Sequence, residues 1–163
     1  MDEQRAARVR ELLAPGSRTA PHFVGTALRP SFFPVDISYR VPVTLEPAGA
    51  DAHTLRDRVT GERSSFPIVG ILRGSLGGRP FALEAARMSD GTIEVDFRDA
   101  TSGDESYGFR YLPVEPSTGT AWWLDFNLAH NPLCAYGDGY RCVLPPAQNT
   151  LAIPIRAGER RFR

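Results

Sequence analysis

From Ser38 onward, apolar side chains recur at every second position in short runs separated by glycine-bearing turns. That pattern leaves few folds open. Tyr39, Val41, Val43 and Leu45 alternate with Arg40, Pro42, Thr44 and Glu46, the signature of a strand with one face buried. Pro42 cannot donate to a ladder, which assigns this strand to an edge or a bulge. Phe66 to Leu76 is apolar on both faces and suits a central strand. Gly77-Gly78 then returns the chain into Pro80 to Met88, a hairpin. After the tight turn Ser89-Asp90-Gly91, Ile93, Val95 and Phe97 alternate with Glu94, Asp96 and Arg98. Further strands are expected near His53 to Arg58, at Tyr107 to Val114, at Thr120 to Asn127 and at Leu151 to Arg156. The expected fold is mainly β, a single-domain antiparallel barrel or sandwich.

Ahead of the strands, Asp2 to Ala14 reads as a short amphipathic helix ended by Pro15-Gly16. Residues 15–37 carry Phe23, Phe32 and Phe33 among prolines, as expected of a strap packed over a core. The 163 residues form one expected domain, with a β-rich core over 38–163 and a long loop-rich C-terminal tract. The net charge is 0 and the pI about 6.8, which supplies no field for nucleic acid. No apolar run approaches the roughly 20 residues of a membrane span, and the N-terminus lacks a signal-peptide core. The expectation is a cytoplasmic protein with neither a membrane nor a nucleic-acid partner.

All 19 basic residues are arginine, so lysine Schiff bases and phosphate-binding lysines are excluded. Gly70 to Gly78 lacks the first glycine of a nucleophile elbow. Gly137-Asp-Gly139 does not continue into a dinucleotide fingerprint. His130, Cys134 and Cys142 are spaced H-x3-C-x7-C, without the close cysteine pair or fourth ligand of a zinc site. Neither metal nor cofactor is expected. Two cysteines are too few for a disulfide scaffold, and packed, reduced thiols are the expected state.

Polar side chains capable of chemistry concentrate in two tracts. In the first, Trp122, Leu124 and Phe126 alternate with Trp123, Asp125 and Asn127. If the second set lines a cavity, Asp125 serves as a general acid or base and Asn127 holds a substrate oxygen. Otherwise both tie down the following loop through backbone hydrogen bonds. The second tract, Asp99 to Tyr111, supplies Glu105, Tyr107, Arg110 and Tyr111. There Arg110 either binds an anionic oxygen or pins the loop through a buried carboxylate network.

Three passages, DFRDATSGDESYGFRYL (Asp96 to Leu112), WLDFNLAHNPLCAY (Trp123 to Tyr136) and CVLPPAQNTLAIPIRAGER (Cys142 to Arg160), resemble the bacterial family catalogued as domain of unknown function 1684. The resemblance runs from about Phe23 to Arg160 and implies a compact β-rich domain. It marks Asp99, Glu105, Tyr107, Arg110, Asp125, Asn127, Asn131 and Cys134 as signature positions. His130 departs from the family pattern, which has an aromatic residue there.

These readings lead to an expected cofactor-independent enzyme acting on a small molecule by acid–base chemistry, of dehydratase, lyase or cyclase type, suited to a tailoring step in bacterial secondary metabolism. Asp125, Glu105 and Tyr107 are its expected proton-transfer residues. Arg110, Asn127, Trp123, His130 and Tyr111 are its expected substrate contacts. The alternatives are a hydrolase or a non-catalytic ligand-binding barrel holding the same molecule.

Overall fold

The computed structural model describes residues 2–17, 19–23, 29–114 and 122–162. One helix, α1 (Asp2–Leu13), precedes seven strands: β1 (Arg40–Pro47), β2 (His53–Asp57), β3 (Arg63–Leu76), β4 (Arg79–Arg87), β5 (Ile93–Phe97), β6 (Arg110–Pro113) and β7 (Trp122–Asp125). All pairings between these strands are antiparallel. The strands run β6-β5-β4-β3-β1-β7, and β2 lies off this path against the first part of β3. The sheet curls into a half-barrel. After β7 the chain turns back, so that His130 bridges Tyr111 of β6 and links the two edges of the curl.

The inward face carries the alternating apolar residues. Val41, Val43, Leu72, Phe81, Leu83, Val95, Phe97, Leu112, Leu124 and Phe126 form one buried cluster, and Leu72 sits opposite Leu83 and Val95 opposite Leu112. Phe126 meets Phe81 and Phe97 edge-on, with centroids 5.9 and 5.6 Å away, the geometry favoured by aromatic quadrupoles. Close crossing of β1 over β3 depends on Gly70, where a Cβ would lie 2.3 Å from the Glu46 carbonyl oxygen.

β4 and β5 pair at Ala86–Glu94 and Arg87–Ile93. Toward Glu84 and Asp96, the buried side chain of Asn149 stands between the two strands. Its Oδ1 accepts from Glu84 N–H at 2.8 Å, while Nδ2 donates to the Glu84 and Asp96 carbonyls at 2.9 and 2.8 Å. An amide thus supplies the donors and acceptor that a strand partner would offer.

Three expectations about local structure need correction. β1 is neither an edge strand nor bulged: it lies between β3 and β7, and its pairing with β3 begins only at Val43, so Pro42 is set against β7 alone. Leu151 to Arg156 is not a strand. Leu151 and Ile155 are buried, but the Ile155 and Ala157 carbonyls accept from the Arg110 guanidinium and Ile155 N–H donates to Asp99, so side chains have replaced a ladder. β7 ends at Asp125, because the Asp125 carboxylate accepts from Asn127 N–H at 3.0 Å and caps a 3-10 turn over Phe126–Leu128; the expected start at Thr120 lies outside the described residues. Among the described residues, no helix is long and apolar enough to cross a membrane.

Candidate functional site

The side chains expected to act together occupy separate places. Asp125 caps its own turn and lies 4.0 Å from Arg40 Nε. Trp123 is 43% exposed, with the Arg40 guanidinium 4.7 Å above its ring. Glu105 chelates Arg156 at the surface, with Nη2–Oε1 at 2.7 Å, and that arginine holds its carboxyl below the ordinary value. The Tyr107 hydroxyl points at Cys134 Sγ, 3.8 Å away. The Tyr111 hydroxyl donates to the Val143 carbonyl at 2.8 Å, and burial pushes the phenol up. Tyr107 and Tyr111 both pack against Phe109, and none of the five lines the cleft beside α1.

Arg110 is wholly buried. Its Nη2 pairs with Asp99 at 2.7 Å and donates to the Ile155 carbonyl at 2.9 Å, while Nη1 donates to the Ala157 carbonyl. Asp99 also accepts from the Thr101 N–H and hydroxyl. Both terminal nitrogens are thereby turned into the protein, and the guanidinium organises the C-terminal tract instead of facing a ligand. Asn127 is gripped in a similar way: its Oδ1 accepts from Asp36 N–H at 3.0 Å and its Nδ2 donates to the Asp36 carbonyl at 2.8 Å.

Asn127 and His130 nevertheless meet at a cleft of about 220 Å³ between α1 and the turn after β7. Its apolar walls are Phe32, Pro113, Leu128 and Ala129. Arg5, Arg8 and Gln4 enter from one side of α1, at the helical spacing that puts positions 4, 5 and 8 on one face. Arg5 donates to the Phe33 carbonyl at 2.9 Å and stacks over Phe32. Arg8 donates to the Asn131 carbonyl at 3.0 Å and pairs with Glu11; its buried Nε has no hydrogen-bond partner among the described residues. Burial first, then the charge of Arg8, pushes His130 down to about 3, so its imidazole is neutral across the physiological range. No described carboxylate lines the cleft.

Behind the cleft wall, Glu159 is fully buried. Its carboxylate accepts from Asn131 N–H at 2.5 Å and from the Tyr136 hydroxyl. Burial pushes this carboxyl up, against the opposing pull of Arg8 and these hydrogen bonds. Elsewhere, Arg56 of β2 pairs with Asp96 at 2.5 Å and with Glu84 at 3.1 Å, all three buried. Burial raises Asp96 to about 6, and burial with the neighbouring Asp96 and Asp90 raises Glu94 to about 7.

Sequence reasoning missed Arg8, Arg56, Glu84, Glu94, Asp96, Asn149 and Glu159. Period-two alternation placed Glu94 and Asp96 on the face opposite Ile93, Val95 and Phe97, but it does not tell what covers that face. One signal was available: Glu84 is a lone charge inside the apolar run FALEAA. Among the described residues, no group of three or more histidine, cysteine, aspartate or glutamate side chains is placed so as to hold a metal ion.

The fold and the cleft define a small, mainly β protein built on one curled antiparallel sheet. The sequence matches the family described as "Protein of unknown function (DUF1684)" over residues 29–160, and the chain belongs to that family. It is similar in structure to an uncharacterized protein from gene locus rrnAC0354 of Haloarcula marismortui, solved in solution by NMR, with a TM-score of 0.71 and 31% identity over 98% of this chain and 91% of that one. No match was found among curated proteins.

Proposed function

We propose that the protein binds a small organic anion, with an apolar body and a carboxylate-type head, in the cleft between α1 and the turn after β7. The observation that carries this reading is the lining: two arginines opposite a neutral imidazole, apolar walls, and no described carboxylate. Cationic donors over a low-dielectric wall favour an anion, and Phe32, Leu128 and Pro113 accept its hydrocarbon part. Asp125, Glu105 and Tyr107 do not line this cleft, and the reading does not draw on them.

Phenylacetate and its neutral counterpart 2-phenylethanol test the reading by calorimetry and by amide shifts of residues 127–130. Saturable binding of the acid, at least about tenfold weaker binding of the alcohol, and an about tenfold loss in Arg8→Ala are expected for one charge-assisted contact. Equal binding of the two probes, or an unchanged Arg8→Ala, would overturn it.

A second reading, a cofactor-independent acid–base enzyme, is favoured by Glu94, whose cross-strand neighbour Pro113 forms part of the cleft wall. A carboxyl held at about 7 suits a proton shuttle at neutral pH. On this reading Glu94→Gln abolishes turnover of a bound ligand without weakening its binding; loss of binding and turnover together would count against it.

A further inference from the structure

Cys134 and Cys142 stand together in a small aromatic cluster with Phe109 and Tyr140, apart from the cleft. Both are free thiols; Cys134 is partly exposed and Cys142 nearly buried. Cys134 N–H donates to Cys142 Sγ at 3.3 Å, and the Tyr107 hydroxyl reaches Cys134 Sγ at 3.8 Å. The turn through Gly137 and Gly139 doubles the chain back so that two residues eight apart meet. We propose that Cys134 and Cys142 form a peroxide-reactive thiol pair, in which Cys142 is the attacking sulfur and Cys134 resolves the product into an intramolecular disulfide.

The asymmetry between the two sulfurs sets the order of events. Cys142 receives hydrogen bonds from the Cys134 thiol and from the Cys134 and Leu133 N–H groups, which hold it down to about 7 against burial. The same bond, with burial, pushes Cys134 up. Near neutral pH, Cys142 therefore supplies the thiolate, the reactive form. That thiolate attacks one oxygen of hydrogen peroxide, the O–O bond breaks, and the departing hydroxide takes a proton to leave as water. Cys142 is then a sulfenic acid. Cys134 sulfur attacks it, the S–O bond breaks, and a second water leaves as Cys134 gives up its proton. Two thiols and one peroxide become a disulfide and two waters, with two electrons passed to the peroxide. A dithiol reductant restores the starting state.

Reduced full-length protein treated with one equivalent of hydrogen peroxide is expected to lose about 2 Da, recovered by dithiothreitol, with a 134–142 cross-link in non-reducing peptide maps. Cys134→Ser should stop at a dimedone-reactive sulfenic acid on Cys142. Cys142→Ser should consume peroxide at least about tenfold more slowly at pH 7, since its remaining thiol stays protonated. An unchanged mass, or a gain of oxygen on either cysteine without a cross-link, overturns the pair from wild-type protein alone. Dimedone labelling confined to Cys134, or undiminished peroxide consumption in Cys142→Ser, overturns the assignment of roles.

Discussion

Arg110 Nη2 lies 2.7 Å from Asp99 Oδ2 with both side chains wholly withdrawn from water. A buried pair of this kind is costly to half-remove, because the survivor is left as an uncompensated charge. Asp99→Asn should therefore destabilise the protein by about 3 to 5 kcal/mol in urea unfolding. It also weakens the bonds to Thr101 and Ile155, so amide exchange across 99–102 and 153–157 should accelerate. An unaltered denaturation midpoint would remove Arg110 from its structural role and return it to the pool of ligand-binding candidates.

Titration of two groups should give the pH profile of stability opposing slopes. Glu94, raised from 4.5 to about 7, binds its proton more tightly when folded. Its contribution is fully present below the ordinary carboxyl value and is lost as pH rises through 7. His130, lowered from 6.5 to about 3, behaves oppositely: its contribution is intact above 6.5 and lost as pH falls toward 3. Glu94→Gln should match wild type at pH 4 and exceed it by about 2 kcal/mol at pH 8, less than the full shift because the side chain is partly exposed. His130→Gln should lose the acid-side decline. Urea titrations at unit pH steps check both.

The arrangement of these residues shows where sequence reasoning reached. Alternation at Val41, Val43, Ile93, Val95 and Phe97 was legible because each strand has one apolar face, and the helix and hairpins followed from equally local patterns. The candidate site was less legible. Asn127 and His130 were singled out as substrate contacts and do line the cleft, yet the arginines opposite them come from α1, more than a hundred residues earlier. Nothing local in Gln4-Arg5-Ala6-Ala7-Arg8 announces that this face meets the turn after β7. The burial of Arg56 next to exposed Leu55 is equally non-local: it follows from Glu84 and Asp96 on other strands, with both of which it pairs.

Gly158 sets the back of the cleft. Its φ of +76° is open to glycine, and a Cβ there would lie 2.3 Å from the Ala129 carbonyl and 2.9 Å from the Phe126 carbonyl. Glu159 N–H donates to that Ala129 carbonyl and Phe33 N–H to the Gly158 carbonyl, so the strap and the turn after β7 both register on this point. Gly158→Ala combines left-handed strain with backbone overlap and should cost about 3 kcal/mol or more. The amide resonances of Phe33, Ala129 and His130 should move together. Gly16→Ala shares the positive φ but meets no atom within 4 Å, and should cost only about 1 kcal/mol. Equal losses in the two variants would mean that crowding at Gly158 contributes nothing.

Asn149 replaces a strand partner between Glu84 and Asp96, and its substitutions separate hydrogen bonding from charge. Asn149→Ala leaves the Glu84 N–H and the Glu84 and Asp96 carbonyls buried without that partner. At about 1 kcal/mol or more for each orphaned group, the loss should reach about 3 kcal/mol. Asn149→Asp keeps an acceptor for the Glu84 N–H but turns a second oxygen toward two carbonyls, beside the Glu84 and Asp96 carboxylates. Burial and these neighbours disfavour its ionised form, so the neutral acid, which can donate to one carbonyl, is the form compatible with the fold. Stability of Asn149→Asp should therefore approach that of wild type at pH 4 and fall below that of Asn149→Ala at pH 8. Parallel pH profiles for the two variants would show that the charged neighbours do not act on this position.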